Sequence, residues 1–103
     1  MILNGNIGAI FGLWDYWRIS RDPVSTDLLA RAIASVKREL PSYEVPGEYS
    51  YYGLRFHAQK GRYHRAHEQQ LRQLAAISGD SFFAEEADLF ARDATSYIEM
   101  RTR

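Results

Sequence analysis

The sequence contains no cysteine among its 103 residues. Disulfide bonds and metal sites built from thiolates are therefore excluded. The formal net charge at pH 7 is zero, which argues against a protein that binds nucleic acid through an overall positive charge. A local basic patch is still compatible with this charge balance.

Long apolar runs are also missing. The most apolar stretch, at the N-terminus, is interrupted by Asn4, Asn6 and Asp15, and it is shorter than the ~20 residues that span a bilayer. It lacks the basic start and the small-residue cleavage site of a secretory signal peptide. We therefore expect no membrane span and no signal peptide in this chain, and its localisation is not predicted.

The chain does contain enough apolar surface for one folded domain. Hydrophobic residues make up 46% of it and aromatic residues 14%, which is typical of globular rather than disordered proteins. A chain of this length forms at most one domain, with a thin core. The sequence therefore predicts a single helical domain over residues 1–103.

Hydrophobic periodicity predicts an all-α fold of four helices. The first helix is expected from a cap at Asn4 or Asn6 to about Ser20, and the second from Ser25 or Thr26 to Leu40. The third is expected from about Arg62 to Ser78, and the fourth from Phe82 to about Met100 after a cap at Asp80 or Ser81. The apolar stripe of the fourth helix is expected at Phe83, Ala87, Phe90, Ala94 and Ile98.

A short pattern that occurs twice in the sequence predicts how these helices are arranged. The pattern Ile-Ser-x-Asp occurs at residues 19–22 and again at 77–80, each time between two predicted helices. Two αα-hairpins closed by the same turn are typical of helical repeat arrays. Two such units rarely bury their faces alone, so we expect a homo-oligomer, with the aromatic residues of the first helix as a candidate surface.

The segment between the hairpins has a different composition. Prolines and glycines make helix improbable across residues 41–61, while the run from Tyr49 to Leu54 has strand propensity. We expect a tyrosine-rich loop or a short β-hairpin there.

The stretch from Tyr43 to Leu74 concentrates tyrosines, arginines and all three histidines. On the third helix one face is predicted to hold Tyr63, His67, Gln70, Leu74 and Ile77. Inward-facing polar groups need partners, and a ligand is one source of them. Since five cations surround this face and Glu68 is the one acidic residue nearby, the expected ligand is an anion. The cations are Arg55, Lys60, Arg62, Arg65 and Arg72.

Other interpretations of this stretch remain. The pair His64-x-x-His67 is a weak metal pattern because no cysteine or paired carboxylate accompanies it, so no metal and no cofactor is predicted. Basic residues among aromatic ones also fit single-stranded nucleic acid, although zero net charge makes this a minor alternative. The tyrosines also fit plain packing and hydrogen-bonding positions.

Several motifs, in the same order, resemble the C-terminal helical domain of the glucuronyl C5-epimerases. They are Asn4-Gly5-x-Ile7, Gly12-Leu13-x-Asp15-Tyr16, Ser35-x-Lys37-x-x-Leu40-Pro41, Tyr52-x-Leu54-Arg55 and Tyr63-His64-x-x-His67-x-x-Gln70-Leu71-x-x-Leu74. The resemblance covers nearly the whole chain, and the tyrosine–histidine motif is its most specific part.

This resemblance implies part of an α/α toroid and a site for an acidic polysaccharide. Enzymes of the family convert D-glucuronate to L-iduronate within a polysaccharide by moving the proton on sugar carbon five. The enolate-like intermediate needs positive charge beside its carboxylate, and the acid–base groups must lie on opposite faces of the sugar ring.

The resemblance also implies roles for individual residues. Tyr52 and Tyr63 correspond to tyrosines implicated in proton transfer, and neighbouring arginines would favour the charged phenolate. Arg55 is the expected carboxylate clamp. The remaining substrate-binding candidates are Tyr49 and Tyr51 through their ring faces, His64 and His67 through hydrogen bonds to the phenol or the sugar, and Arg62 and Gln70.

The chain departs from the family pattern at three points, one of which is the short segment between the two tyrosine motifs. Gly53 stands where the family has an acidic residue, and an acidic and tyrosine pair from an upstream helical region has no counterpart here. The chain is then expected to be a fragment of a longer enzyme, or a protein whose partner completes the groove. The alternative is a non-catalytic helical interaction module that retains the motifs as core.

Overall fold

The computed structural model of the protein describes residues 2–55 and 57–102, and four α-helices are present within them. They are α1 (Leu3–Ser20), α2 (Pro23–Glu39), α3 (Gly61–Ser78) and α4 (Ser81–Thr102), and a 3₁₀ turn (Leu40–Ser42) follows α2. The described residues form no extended strand, and their only β pairs are isolated antiparallel bridges. The prediction of an all-α fold is confirmed.

The two hairpin turns share one backbone geometry. Arg21 ends α1 at φ 51° and Gly79 ends α3 at φ 71°, both in the left-handed region. The next residue in each case is an aspartate, and its side chain accepts a backbone N–H of the following helix. Asp22 accepts from Ser25 N at 2.7 Å, and Asp80 accepts from Phe82 N at 3.0 Å. The repeated Ile-Ser-x-Asp pattern therefore corresponds to two turns of the same kind.

Helix α2 starts earlier than predicted. The expected start at Ser25 or Thr26 is wrong, because Asp22 is the N-cap and Pro23 is the first helical residue. Proline is well suited to that position, since its fixed φ is helical and its missing N–H would have no partner there.

The predicted cap of α1 at Asn4 or Asn6 is also wrong. The helix begins at Leu3, and no side chain caps it. Instead, the Leu3 N–H donates to the carbonyl of Tyr52 at 3.1 Å, and Ile2 pairs with Gly53 in an antiparallel bridge. A segment ~50 residues away in the chain thus replaces the local cap.

The core lies between the hairpins. Helix α1 packs on α2, α3 packs on α4, and α1 also contacts α3. The fully or nearly buried apolar residues are Leu3, Ile7, Ile10, Leu29, Val36, Leu40, Tyr43, Leu71, Leu74, Phe83, Ala87 and Phe90. None of the described helices combines the length and the apolar character needed to cross a membrane.

The predicted apolar stripe of α4 is wrong at its C-terminal end. Phe83, Ala87 and Phe90 are buried, but Ile98 is 51% exposed. Helix α4 has 22 residues and its antiparallel neighbour α3 has 18. The last turn of α4 consequently has no facing helix.

Candidate functional site

Residues 43–60, which we call the tyrosine loop, are held in place by backbone hydrogen bonds. Tyr51 N–H donates to Tyr43 O at 2.8 Å, and Tyr52 N–H donates to Ala58 O at 2.7 Å. The carbonyl of Tyr52 accepts the Leu3 N–H described above. Tyr52 is therefore bonded on both sides of its backbone, which fixes where its side chain emerges.

A cavity of about 540 Å³ opens beside Tyr52. Its size falls within the ~300–1,000 Å³ typical of small-ligand sites. The lining residues come from the α1 N-terminus, the tyrosine loop and the first turn of α3, and are Ile2, Tyr52, Gly53, Leu54, Arg55, Ala58, Lys60 and Tyr63. The fold thus brings Tyr52, Arg55 and Tyr63 together on one concave surface.

The two candidate catalytic phenols are in direct contact. The ring centroids of Tyr52 and Tyr63 lie 4.2 Å apart, with an interplanar angle of 34°. No space remains between the ring faces for a sugar ring. The two phenols therefore form a single wall of the cavity and do not enclose a substrate from opposite sides.

Arg62 contacts Tyr63 and does not line the cavity. Its Nη2 donates to the Tyr63 hydroxyl oxygen at 2.9 Å, and its guanidinium carbon lies 4.8 Å from the centre of the same ring. The phenol oxygen of Tyr63 consequently accepts a charge-assisted hydrogen bond from a cation.

Two other cations do line the cavity. Arg55 and Lys60 are both exposed side chains at its wall. Among the residues that the structure describes, no aspartate or glutamate lines it. A negatively charged group entering the cavity would meet cations and phenols there.

Most of the chain matches one protein family. The family model described as D-glucuronyl C5-epimerase C-terminus matches residues 1–92. The chain belongs to this epimerase C-terminal family. No curated protein and no solved structure matches the chain.

The resemblance expected from the motifs is thereby confirmed, and both epimerase-family tyrosine motifs lie inside the matched range. Tyr52 comes from the first motif and Tyr63 from the second. The last part of α4, residues 93–102, lies beyond the match.

The two histidines of the epimerase-family motif point into the core instead of the cavity. His64 is 1% exposed and His67 is fully buried. Ser50 N–H donates to His64 Nδ1 at 2.7 Å, so that nitrogen carries no proton. His64 Nε2 therefore carries the proton and donates it to Phe90 O at 2.6 Å. His64 is a neutral imidazole that joins the tyrosine loop to α4.

His67 belongs to the same buried network. Its Nδ1 lies 2.7 Å from the Ser50 hydroxyl, and its Nε2 has no partner among residues 2–55 and 57–102. Burial, with a smaller effect from nearby His64, lowers the pKa of His67 to about 4. His67 is thus neutral at physiological pH, and neither histidine reaches the cavity surface.

The buried face of α3 is rotated from the predicted one. The prediction centred it on Tyr63, His67 and Gln70, whereas the buried residues are His64, His67, Leu71 and Leu74. Tyr63 and Gln70 lie at its edges. Gln70 donates to Asn4 O at 3.0 Å and so links α3 to α1 away from the cavity.

The remaining candidates, Tyr49 and Tyr51, also lie away from the cavity. Tyr49 packs on Tyr97 of α4, with ring centroids 4.3 Å apart, and Tyr51 stacks on His57 at 4.4 Å. Tyr49 also explains the glycine that begins α3, since a Cβ at Gly61 would lie 3.0 Å from its ring.

Sequence reasoning missed two lining or supporting residues, Ile2 and Ser50. Ile2 reaches the cavity through the bridge to Gly53, for which no local pattern exists. Ser50, fully buried, supplies both bonds to the histidines. Lys60 was predicted as one of the cations around the polar face of the third helix. Its position between the two tyrosine motifs was the available sign that it lines the cavity.

A second polar cluster lies on the other side of the tyrosine loop. Glu44 meets Glu86 and Asp93 of α4, and each has one buried carboxyl oxygen without a hydrogen-bond partner among the described residues. Asp93 also accepts the Gly47 N–H at 2.9 Å. Burial first, and then Asp93, raise the pKa of Glu44 to about 7. No described group of His, Asp or Glu side chains is arranged to hold a metal ion.

Proposed function

We propose that this domain binds the glucuronate units of an acidic polysaccharide in the cavity beside Tyr52 and Tyr63. One observation supports the proposal above all: two motifs of the epimerase family, separate in sequence, line one cavity. Arg55 of the first motif is part of this lining, and no described residue contributes a carboxylate to it. The apolar wall and aromatic edges suit the carbon–hydrogen face of a sugar, and the cations suit its carboxylate.

In this proposal the residues have distinct tasks. Arg55 holds the sugar carboxylate, because a guanidinium matches a carboxylate with two parallel hydrogen bonds. Its charge also stabilises the enolate-like state that forms when carbon five loses its proton. Tyr63, whose oxygen accepts from Arg62, takes or returns that proton, and the adjacent Tyr52 supports it.

The contact between the two rings limits what the cavity does alone. Both phenols act from one side of the sugar, whereas inversion at carbon five needs a second proton donor on the other side. Under this proposal the opposite wall comes from another polypeptide segment. The chain by itself is then expected to exchange the carbon-five hydrogen with solvent and to retain the D-gluco configuration.

Binding of heparosan oligosaccharides, followed by NMR titration, tests the first part. We expect Tyr63→Phe and Arg55→Gln to weaken binding by about tenfold, since each removes a charge-assisted or hydroxyl hydrogen bond. Tyr16→Phe is the matched control, because Tyr16 is an exposed tyrosine of α1 that does not line the cavity. Unchanged binding by Tyr63→Phe would contradict the proposed site.

Incubation in deuterium oxide tests the chemistry. Proton NMR of the oligosaccharide should show loss of the carbon-five hydrogen signal with the wild-type chain and no loss with Tyr63→Phe. Formation of L-iduronate by the chain alone would contradict the one-sided arrangement. Binding without any exchange would restrict the proposal to recognition of the uronate.

A second candidate, a non-catalytic interaction module, is favoured by the closed end of the α1–α2 hairpin. Apolar side chains are exposed there, with Ile19 at 89%, Val24 at 69% and Tyr16 at 59%. Such residues are common at contacts between subunits. Sedimentation velocity over a range of concentrations tests it: self-association that Ile19→Lys abolishes, together with no uronan binding, would favour this candidate.

A further inference from the structure

Lys60 is directed into the cavity by the backbone that carries it. The residue before α3 has φ −135° and ψ 133°, an extended conformation in which successive side chains point to opposite sides. Ala58 and Lys60 both line the cavity, while Gln59 between them donates to Tyr49 O at 2.8 Å on the other side. The alternation leaves Lys60 beside Arg55 and Tyr63.

The charge of Lys60 is not neutralised by the described residues. Its ammonium forms no ion pair or hydrogen bond within residues 2–55 and 57–102, and no carboxylate lines the cavity. Arg62, two residues further on, is held outside the cavity, because its guanidinium donates to the Tyr63 hydroxyl. Lys60 therefore brings a second positive charge to a cavity that already contains Arg55.

We propose that Lys60 is a specificity-determining residue that binds a second negative group, on the sugar next to the glucuronate held by Arg55. This inference rests on the proposed function and narrows the substrate to a polymer segment with two neighbouring anionic groups. The second group is a carboxylate or a sulfate, since a lysine ammonium is a compact point charge that accepts either.

The assignment predicts different behaviour for a polymer and for a monomer. Lys60→Gln should weaken binding of a tetrasaccharide of glucuronate about fivefold, the size expected for one partly exposed ion pair. Binding of free D-glucuronic acid, which has one anionic group, should stay within about twofold. Lys60→Arg should restore the tetrasaccharide affinity, because it keeps the positive charge.

The measurement is a set of NMR titrations of the folded chain with each sugar at low and at physiological salt. Arg65→Gln is the matched control, since Arg65 is an exposed cation of α3 outside the cavity. A sulfated tetrasaccharide of the same backbone distinguishes the two groups: a larger Lys60→Gln effect with this sugar identifies sulfate, and an equal effect identifies the carboxylate. Thermal unfolding verifies that each variant is folded.

The outcomes separate this inference from the proposed function. If the wild-type chain binds none of the sugars, both are overturned. If the wild-type chain binds and Lys60→Gln binds equally well, the role of Lys60 alone is overturned. If Lys60→Gln weakens the monomer and the tetrasaccharide equally, Lys60 holds the first carboxylate, which also contradicts the assignment.

Discussion

The two sides of the tyrosine loop differ in the sign and in the accessibility of their charges. On the cavity side Arg55 and Lys60 are exposed, and no described aspartate or glutamate lines the cavity. On the α4 side Glu44 meets Glu86 and Asp93 at a contact where Asp93 is only 4% exposed. Cations and carboxyl groups therefore lie on opposite sides of the tyrosine loop, although the net charge of the chain is zero.

This difference shows which groups are available to a ligand. The side chains of Arg55 and Lys60 are exposed at the cavity wall, while the carboxyl groups contact other parts of the same chain. Between the two lies the neutral network of Ser50, His64 and His67. Under the proposed function one side of the loop binds the ligand and the other side stabilises the fold.

The largest effect is expected on the structural side, from His64→Leu. The substitution leaves the buried Ser50 N–H without its acceptor and removes the bond to Phe90 O. Each lost buried partner costs about 1–3 kcal/mol, so the free energy of unfolding should fall by roughly 2–4 kcal/mol. Urea denaturation followed by circular dichroism measures it.

The control for this test is Arg31→Ala, which removes an exposed ion pair with Asp27 at 3.0 Å. Its effect should not exceed about 0.5 kcal/mol. A comparable small loss for His64→Leu would mean that the network does not hold the loop, and the comparison between the two sides would fail.

An intermediate effect is expected from Glu44 and depends on pH. The pKa of Glu44 is about 7 in the folded chain and 4.5 ordinarily, so the folded state holds a proton that the unfolded state has lost. Its contribution to stability is complete below pH 4.5 and is lost as pH rises through 7. Glu44→Gln, which mimics the protonated side chain, should differ least from wild type at pH 5, the lowest pH measured. At pH 8 it should be roughly 1–2 kcal/mol more stable.

The comparison between variant and wild type is necessary because His67 has the opposite effect. Its pKa is lowered from 6.5 to about 4, so stability is lost as pH falls through that range. The groups that face Glu44 are Glu86, Asp93 and Arg92, all on α4. Denaturation midpoints at pH 5, 6.5 and 8 supply the data. A stability difference between Glu44→Gln and wild type that does not vary with pH would refute the assignment.

The smallest effect on stability is expected on the cavity side. Lys60→Gln and Arg62→Gln alter exposed side chains, so each should change the free energy of unfolding by less than about 0.5 kcal/mol. The same denaturation experiment applies. A loss above about 1 kcal/mol in either variant would show that Lys60 or Arg62 stabilises the fold, and would remove the distinction between the two sides of the loop.

Local patterns predicted the helices well, because the relevant interactions lie within a few residues. Asp80 was one of the two predicted caps of α4, whereas the equally local cap of α2 at Asp22 was missed. The start of α1 was predicted wrongly because its cap is a backbone carbonyl from Tyr52. No property of Asn4 or Asn6 indicates such a contact.

The site was predicted in part. The motifs of Tyr52, Arg55 and Tyr63 identified residues that line one cavity, while the inward direction of His64 and the contact between the two phenol rings were missed. A small rotation of α3 about its axis decides whether a given side chain is buried or faces the cavity. Hydrophobic periodicity alone does not determine that rotation. The carboxyl cluster was missed because Glu44 is far in sequence from Glu86 and Asp93.

The sequence by itself determined the helical class, the two hairpin turns and the family, because these depend on periodicity, caps and ordered motifs within short segments. Only the tertiary structure decided which polar residues face the cavity and which are buried, since this depends on how α1, α3 and α4 pack around the tyrosine loop. The bonds from Leu3 to Tyr52, from Ser50 to His64 and from Gly47 to Asp93 join segments distant in the chain. Their geometry exists only once the helices have come together.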